Sequence, residues 1–261
     1  MLHLNGPDAT KTPGCNPQNT SGVSSRPAAF IPAKLYALLR RVAPLRSAVY
    51  LYYALKKAVL DTSDRRRVNL ENMYSATTDP WNYTCTLEQS RYDGCLAMLR
   101  QTGKKQFDRV AEIGCGEGFF TVRIAPVCKS LLALDCCSIA LQRAQTRCAA
   151  FRNLTFQEFN LRSDYLEGQF DLILAMDVLD YFARPWLLAR LRTMLVRALS
   201  PGGFLLVTTA HQGAREDMIW SSWLPCGRQI NEYFGRHPDL HIVSGFRTEM
   251  HNGTLHRKRN S

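Results

Sequence analysis

The sequence has no apolar run long enough to cross a membrane. The run from Ala48 to Leu55 is only eight residues long and lies between Arg46 and Lys56, whereas a spanning helix needs about 20 mostly apolar residues. The first residues also lack the apolar stretch of a secretory signal. We therefore expect a cytoplasmic protein whose contact with a membrane, if it has one, is peripheral.

Paired cysteines and clustered histidines are missing as well. The nine cysteines include no Cys-x-x-Cys pair and no repeated spacing, which argues against a zinc site and a disulfide framework and favours a reducing compartment. Among the six histidines, His237 and His241 have helical spacing, but Pro238 lies between them and disfavours a helix there. The sequence therefore predicts that no metal is bound.

Positive charge is concentrated in one segment. The net charge is +11, and residues 34–67 hold nine Lys or Arg against two Asp, which gives this segment +7. Its apolar residues have helical spacing, so we expect either a basic amphipathic surface that contacts a membrane or a pair of helices packed on the core with solvated charges. The catalytic core is therefore nearly neutral, which favours a local basic surface over a nucleic-acid-binding domain.

A glycine-rich turn is the most informative feature that the sequence does contain. Glu112-Ile-Gly-Cys-Gly-Glu-Gly118 follows the apolar residues Val110 and Ala111 and leads into a helix-like run, and a second apolar run ends at Asp135. A strand, a tight glycine turn, a helix and a strand that ends in an acid form the start of a Rossmann-like nucleotide site. Glycine is needed because the turn adopts backbone angles that a Cβ would block.

The acid before the first glycine indicates which nucleotide this turn binds. Dinucleotide sites place a pyrophosphate on a helix N-terminus, but Glu112 stands two residues before Gly114, where it would repel a pyrophosphate and suit an α-ammonium group. Asp135 can accept the hydroxyl protons of a ribose. S-adenosylmethionine combines an ammonium, a ribose and no phosphate. The motif therefore predicts that this cofactor binds to Glu112, Gly114, Gly116, Gly118 and Asp135.

Apolar runs and helical patterns alternate from about residue 105 onward. Strands are predicted near 109–113, 131–135, 154–158, 170–176 and 203–209, and helices over 118–126, 138–150 and 185–199. This alternation predicts an α/β fold with a doubly wound, mostly parallel sheet and helices on both faces. Two further runs, 240–246 and 253–258, flank Asn252-Gly253, which predicts a hairpin that closes the far edge of a seven-stranded sheet.

Motifs spread over residues 105–210 resemble those of the class I S-adenosylmethionine-dependent methyltransferases. They are the glycine turn, Asp135, Phe170-Asp171-Leu172-Ile173 and Leu199-Ser200-Pro201-Gly202-Gly203, in the order and spacing of that family. Upstream, residues 73–92 contain Asp79-Pro80-Trp81-Asn82-Tyr83 and are similar to the opening segment of the nodulation protein S-type methyltransferases. The best-known members of that group N-methylate an amino sugar of a chitooligosaccharide.

The resemblance implies a fold, a cofactor and a reaction. The fold would be a Rossmann-like sheet with an N-terminal helical cap, and the cofactor S-adenosylmethionine. The reaction would be methyl transfer to a nitrogen or oxygen of a small-molecule or glycan acceptor, with an amino sugar as the best single candidate. The chain then divides into a disordered segment (1–33), a basic helical extension (34–67), a cap over the cofactor (68–105) and the methyltransferase domain (106–261).

The resemblance also implies residues that surround the cofactor. Trp81 and Arg91 would fold over it, with Arg91 near its carboxylate. Cys136 and Asn160 would flank the adenine. These residues would complete the site that the glycine turn begins.

Asp177 is the main candidate on the acceptor side. It ends the fourth predicted strand and would point toward the catalytic mouth, because open α/β sheets bind ligands beyond the carboxyl ends of their strands. A carboxylate there can orient an amine or take a proton from one, and the alternative is a carboxylate that caps the next turn. Asp180, Tyr181 and His211 are further candidates for the acceptor side.

Departures from the family pattern leave the acceptor open. Asp180 replaces an aromatic residue, Gln212 replaces a Trp, and Asn160 replaces an acid that contacts adenine. The positive charge raises the alternative of an RNA methyltransferase, but the Asn/Asp-Pro-Pro-Tyr-type loop used on base nitrogens is absent after the fourth strand. A non-catalytic cofactor-binding module held at a membrane by residues 34–67 is the second alternative.

Deleting residues 1–33 should leave cofactor binding intact. This segment is rich in Pro, Ser, Thr, Gly and Asn, a composition that cannot bury a core. Calorimetry with S-adenosylhomocysteine should give the same affinity for the truncated and full-length chains. A truncated protein that unfolds or loses affinity would show that the segment packs on the domain.

Overall fold

The computed structural model describes residues 63–182, 185–210 and 227–260. The predicted disorder of residues 1–33, most of the basic extension and His211 lie outside these ranges. The helices are α1 (Ser63–Ala76), α2 (Thr86–Gln101), α3 (Thr121–Ile124), α4 (Ser138–Arg147), α5 (Pro185–Ala198) and α6 (Arg228–Gly235). The strands are β1 (Phe107–Ile113), β2 (Cys128–Asp135), β3 (Leu154–Glu158), β4 (Phe170–Met176), β5 (Leu199–Ala210), β6 (Leu240–Arg247) and β7 (His251–Lys258). Short 3-10 turns cover Ala125–Val127 and Leu179–Phe182.

The strands form a single sheet within the described residues, in the order β3-β2-β1-β4-β5-β7-β6. Strands β1 to β5 pair in parallel, whereas β7 pairs antiparallel with both β5 and β6. This confirms the predicted Rossmann-like, mostly parallel sheet of seven strands. The strand order reverses between β1 and β4, and ligands of such sheets bind in the crevice at the carboxyl ends of the strands next to that point.

Helices cover both faces of the sheet. In β4, Ile173 and Ala175 pack with α5 and α6, while Leu172 and Leu174 pack on the opposite face with α2 and α3. All four side chains are buried, so the strand reads as a continuous apolar run. Burying one Leu or Ile side chain contributes about 1.5–3 kcal/mol, and this two-sided core fixes the edge of the sheet where the site lies.

Membrane and cysteine predictions can be compared with the described part of the chain. None of its helices is long and apolar enough to span a membrane. Free thiols are found at Cys95, Cys115, Cys128, Cys136, Cys137 and Cys148. Cys85 is disulfide-bonded, so the expectation that the scattered cysteines stay unpaired is wrong at this position.

The predicted hairpin turn at Asn252-Gly253 is wrong. The turn is formed by residues 248–250, where the Thr248 N–H group donates to the His251 carbonyl oxygen (2.8 Å) and the His251 N–H group donates to Thr248 Oγ1 (3.0 Å). Gly253 lies inside β7, opposite Phe246 of β6. A Cβ there would lie 2.1 Å from Phe246 Cε1. Glycine therefore makes room for an aromatic ring at this position and does not form the turn.

Replacing Gly253 by alanine should destabilise the hairpin. The added methyl group clashes with the Phe246 ring, and overpacking of this kind costs typically about 1–3 kcal/mol. Urea unfolding of Gly253→Ala measures the loss, and the same change in a Phe246→Leu background should cost less because the smaller side chain yields space. An alanine variant as stable as the parent protein would contradict this packing.

Candidate active site

The glycine turn connects β1 to α3 at the carboxyl edge of the sheet. Gly114, Gly116 and Gly118 have left-handed backbone angles, with φ of +74°, +53° and +79°, which favour glycine. The Gly114 N–H group donates to the Leu134 carbonyl oxygen (2.8 Å), which ties the turn to β2. A Cβ at Gly114 would lie 3.2 Å from Val178. Backbone conformation and space thus both require glycine there.

A buried carboxylate lies at the start of the turn. Glu112 is 2% exposed, and its Oε2 accepts a hydrogen bond from the Thr121 hydroxyl group (2.7 Å). Burial raises the pKa of Glu112 to about 7, although the Thr121 hydrogen bond and the Arg91 guanidinium lower it in part. A buried carboxylate is stabilised by a nearby cation, so this environment suits an α-ammonium group.

Asp135 closes the turn from the end of β2. Its Oδ2 accepts the N–H group of Gly116 and its Oδ1 that of Cys137, both at 2.9 Å. Burial raises the pKa of Asp135, and these two backbone hydrogen bonds oppose the rise. A carboxylate can accept about four hydrogen bonds, so capacity remains for ribose hydroxyl groups.

Aromatic residues of α1 and the loop after it cover the turn. A Cβ at Gly116 would lie 3.3 Å from the Tyr74 hydroxyl oxygen and 3.5 Å from that of Tyr83. Trp81 Nε1 donates to the Tyr74 hydroxyl group (3.0 Å), and the Trp81 ring lies 6.4 Å from the Tyr181 ring. Tyr74 and Tyr83 belong to the stretch that resembles the family, but no role was predicted for them.

An ion pair docks this cap on the turn. Glu117, a buried residue of the turn, pairs with Arg143 of α4, and its Oε2 accepts the Asp79 N–H group (2.9 Å). Arg143 also donates to the carbonyl oxygens of Tyr74 and Thr77 (2.6 and 3.0 Å). The cap is therefore held at the turn through charged hydrogen bonds, which are stronger than neutral ones.

The two residues predicted beside the adenine follow β2 and β3. Cys136 directly follows Asp135 and is partly exposed. Asn160 is also partly exposed, and its Oδ1 accepts the Arg162 N–H group (3.1 Å) while its own N–H group donates to Asp164 Oδ2 (2.8 Å). The Asn160 side chain thus stabilises the turn that begins after β3.

Four charged or titratable side chains meet where α2, β4 and β7 converge. Arg91 donates to Glu88 Oε2 from Nε and Nη2 (2.9 and 2.5 Å), and its Nη1 lies 3.1 Å from Asp177 Oδ2 in an ion pair. His251 Nε2 lies 3.0 Å from Asp177 Oδ2 and 3.5 Å from Glu88 Oε1. Two predicted site residues, Arg91 and Asp177, are thus joined by two that were not predicted. The spacing of Glu88 and Arg91, three residues apart on one helix, is the only signal that could have suggested their pairing.

The carboxylate of Asp177 is held by side chains and not by the turn that follows it. Its Oδ1 accepts the Thr208 hydroxyl group (2.9 Å), and its backbone has a φ of +52°. The alternative role of a turn cap is therefore not what the structure shows. Burial would raise the pKa of Asp177, but the Arg91 guanidinium and His251 lower it well below its usual range. Asp177 is ionised at neutral pH.

The other residues predicted on the acceptor side have different positions. Asp180 Oδ2 accepts the Ala210 N–H group (3.2 Å) and its Oδ1 accepts that of Gly227 (3.4 Å). Asp180 therefore links the end of β5 to the start of α6. Tyr181 is partly buried beside Trp81, and His211 lies outside the described residues.

The cluster also brings together three groups that could ligate a metal, which the sequence did not predict. One ligand atom each of Glu88, Asp177 and His251 lies within 4.8 Å of the other two. The Arg91 guanidinium, however, contacts both carboxylates. A fixed positive charge already balances these carboxylates and would repel a metal ion.

Comparison with known proteins places the chain in a family. Residues 62–223 match the model of nodulation protein S (NodS). The chain belongs to the NodS family. Nodulation protein S of Bradyrhizobium diazoefficiens is 30% identical over 149 residues, which cover 57% of this chain and 68% of the relative. That of Sinorhizobium fredii is 30% identical over 139 residues, which cover 52% of this chain and 62% of the relative.

A solved structure of the family has the same fold. It is the N-methyltransferase NodS from Bradyrhizobium japonicum WM9 in complex with S-adenosyl-L-homocysteine. The TM-score is 0.64 at 23% identity, with 74% of this chain and 97% of that chain covered. The protein is an S-adenosylmethionine-dependent methyltransferase. The matched residues of this NodS-family chain include the glycine turn, the cap, Arg91 and Asp177, while β6, β7 and His251 lie beyond them.

Glu112 should make cofactor binding depend on pH. A carboxylate with a pKa of about 7 must lose its proton before it pairs with an ammonium group. The affinity for S-adenosylhomocysteine should therefore rise about tenfold from pH 5.5 to pH 7, as measured by calorimetry. The Glu112→Gln variant should bind more weakly and lose most of this rise. Equal affinities of the parent protein at both pH values would contradict the assignment.

Proposed function

We propose that this enzyme transfers the methyl group to an amine nitrogen of a small-molecule or glycan acceptor, with an amino sugar as the leading candidate. The observation that carries the proposal is an ionised carboxylate, Asp177, at the carboxyl end of β4. The next residue, Val178, lies beside the glycine turn, since a Cβ added at Gly114 would be 3.2 Å from it, so Asp177 adjoins the cofactor region. Membership of the NodS family supports this choice, since the solved relative is an N-methyltransferase.

Two carboxylates, the buried Glu112 and the partly buried Asp135, account for the polar contacts proposed for the cofactor. Glu112 would bind the α-ammonium group and Asp135 the ribose, while the N–H groups of the glycine turn would bind the carboxylate end. Cys136 and Asn160 would flank the adenine, and Trp81 would cover the site together with Tyr74 and Tyr83. Because Arg91 is paired with Glu88 and Asp177, we assign it to the acceptor side in place of the predicted contact with the cofactor carboxylate.

The state of Asp177 favours nitrogen over oxygen as the acceptor atom. When bound, S-adenosylmethionine supplies an activated sulfonium methyl group, so the enzyme mainly has to hold a nucleophile in line with it. A carboxylate whose pKa is lowered by Arg91 and His251 is a weak base. It could not deprotonate an alcohol, but it can accept a hydrogen bond from a neutral amine, which attacks without losing a proton first. Among the described residues, Oδ1 of Asp177 accepts a hydrogen bond only from the Thr208 hydroxyl group. It can therefore accept a second hydrogen bond, from the amine.

A methyl-transfer screen tests this function directly. Labelled cofactor is offered with glucosamine oligosaccharides, small amines, alcohols and RNA. The same oligosaccharides with acetylated amines serve as matched controls, because only the nucleophile differs. We expect label on the free amines and none on the acetylated sugars. Equal labelling of acetylated sugars, alcohols or RNA would overturn the proposal.

Replacing Asp177 by asparagine should slow transfer without weakening cofactor binding. The amide loses the charge that orients the amine, and misplacement of a nucleophile costs about 10²-fold in rate. Calorimetry should show cofactor affinity within about threefold of the parent value. If Asp177 only orients the amine, the rise of kcat with pH should have the same midpoint in both proteins. A midpoint that disappears in the variant would identify Asp177 as the base, and full activity would remove it from the site.

A further inference from the structure

A buried histidine on the C-terminal hairpin reaches the proposed acceptor side of the site. His251 is the first residue of β7 and pairs with Ala210 at the end of β5. Because β7 runs antiparallel to β5, its first residue lies at the carboxyl edge of the parallel strands. The side chain is 1% exposed, and the hairpin turn fixes its backbone through hydrogen bonds with Thr248.

Among the described residues, only one nitrogen of the His251 imidazole has partners. Nε2 lies 3.0 Å from Asp177 Oδ2 and 3.5 Å from Glu88 Oε1. Nδ1 is buried and has no hydrogen-bond partner among the described residues. Since both neighbours of Nε2 are carboxylate oxygens, Nε2 carries the hydrogen and donates it.

The Asp177 carboxylate is thereby fixed from three elements. Thr208 of β5 donates to Oδ1, while Arg91 of α2 and His251 of β7 both contact Oδ2. Arg91 Nη1 (3.1 Å) and His251 Nε2 (3.0 Å) both lie against Oδ2, so this oxygen is occupied by two partners. Oδ1 accepts one hydrogen bond, from Thr208, and can accept a second one from an acceptor N–H group.

We infer that His251 is a positioning residue for methyl transfer, which holds the Asp177 carboxylate in the single orientation that leaves Oδ1 for the acceptor. This inference rests on the proposed function, in which Asp177 orients the amine. His251 acts through Asp177 and does not touch the reacting atoms. It lies beyond residues 62–223, so the hairpin adds a site residue outside the part of the chain that matches the family model.

A second buried histidine on the same strand provides a matched control. His256 is fully buried, its ring lies 6.5 Å from that of Phe234, and neither ring nitrogen has a partner among the described residues. Burial lowers the pKa of His256 to about 4. Replacing His256 therefore tests the loss of a buried histidine from β7 without any change at Asp177.

The first measurement needs no acceptor. The Asp177 carboxyl group is titrated by NMR in protein labelled with ¹³C at aspartate side chains, and Asp177→Asn identifies the signal. We expect His251→Leu to raise the pKa of Asp177 by about one pH unit, because a hydrogen bond to the charged form is lost. His256→Leu should leave that pKa unchanged. An unchanged pKa in His251→Leu would overturn the inference.

The second measurement is turnover with an amine acceptor. His251→Leu should lower kcat by about 10- to 100-fold, with cofactor affinity within twofold of the parent value. His251→Gln should recover part of kcat, since its amide N–H group can replace Nε2–H, and His256→Leu should keep full activity. A purely structural role would instead lower the stability of both histidine variants alike and give no recovery with glutamine, which would overturn the inference.

The two measurements separate failure of this inference from failure of the proposed function. If no amine is methylated by the parent protein, the proposed function fails, while the titration still reports whether His251 acts on Asp177. Urea unfolding establishes that each variant is folded. If His251→Leu does not fold, His251→Gln takes its place in the titration. Its amide N–H group can replace Nε2–H, so the pKa of Asp177 should stay close to the parent value. A raised pKa or a kcat as low as that of Asp177→Asn would count against the inference.

Discussion

The Arg91 guanidinium is the interaction on which the acceptor side of this structure depends, because its positive charge is shared by the buried carboxylate of Glu88 and the partly buried carboxylate of Asp177. Glu88 and Asp177 come from α2 and β4 and would repel each other at this distance without it. Removing one partner of a buried ion pair costs about 3–5 kcal/mol, since the other charge stays buried without compensation. The position of α2 against the sheet is therefore coupled to the charge balance of the site. The low pKa of Asp177, and with it the preference for orienting an amine over deprotonating an alcohol, follows from the same contact.

Local patterns were sufficient for those parts of the fold whose structure is decided within one strand or one turn. The bounds of β3 and β4 agree with the prediction to the residue, and the glycine turn lies where the motif places it. The helix predicted over 118–126 is shorter, since α3 ends at Ile124 and a 3-10 turn that contains Pro126 follows. The C-terminal hairpin shows where prediction from local sequence fails. Asn252-Gly253 is typical of a turn, and only the neighbouring strand reveals that the glycine accommodates Phe246. A sequence pattern cannot distinguish a glycine needed for its backbone from one needed for the space that it leaves.

The cofactor side and the acceptor side of the site differ in how far the sequence predicts them. Glu112 and Asp135 lie at the ends of neighbouring parallel strands in one β-α-β unit, so their meeting at the glycine turn follows from a motif that is contiguous in sequence. The acceptor side is assembled from α2, β4, β5 and β7, which meet only after the hairpin has been added antiparallel to the sheet. Nothing near His251 in the sequence marks it as a site residue, because its role depends on the register between β5 and β7. Arg91 and Asp177 could be identified from the family resemblance, but their direct contact could not.

The left-handed backbone of Asp177 limits which residues evolution can place at this position. A φ of +52° is tolerated by aspartate, asparagine and glycine and is unfavourable for branched or bulky side chains. Relatives that share this backbone and have lost the carboxylate should therefore carry asparagine or glycine there, and rarely alanine, valine or glutamate. Divergence of acceptor preference within the family would then proceed through the residues around this carboxylate. The conformation of a single residue thus limits this position to a few residue types, whatever acceptor the surrounding surface binds.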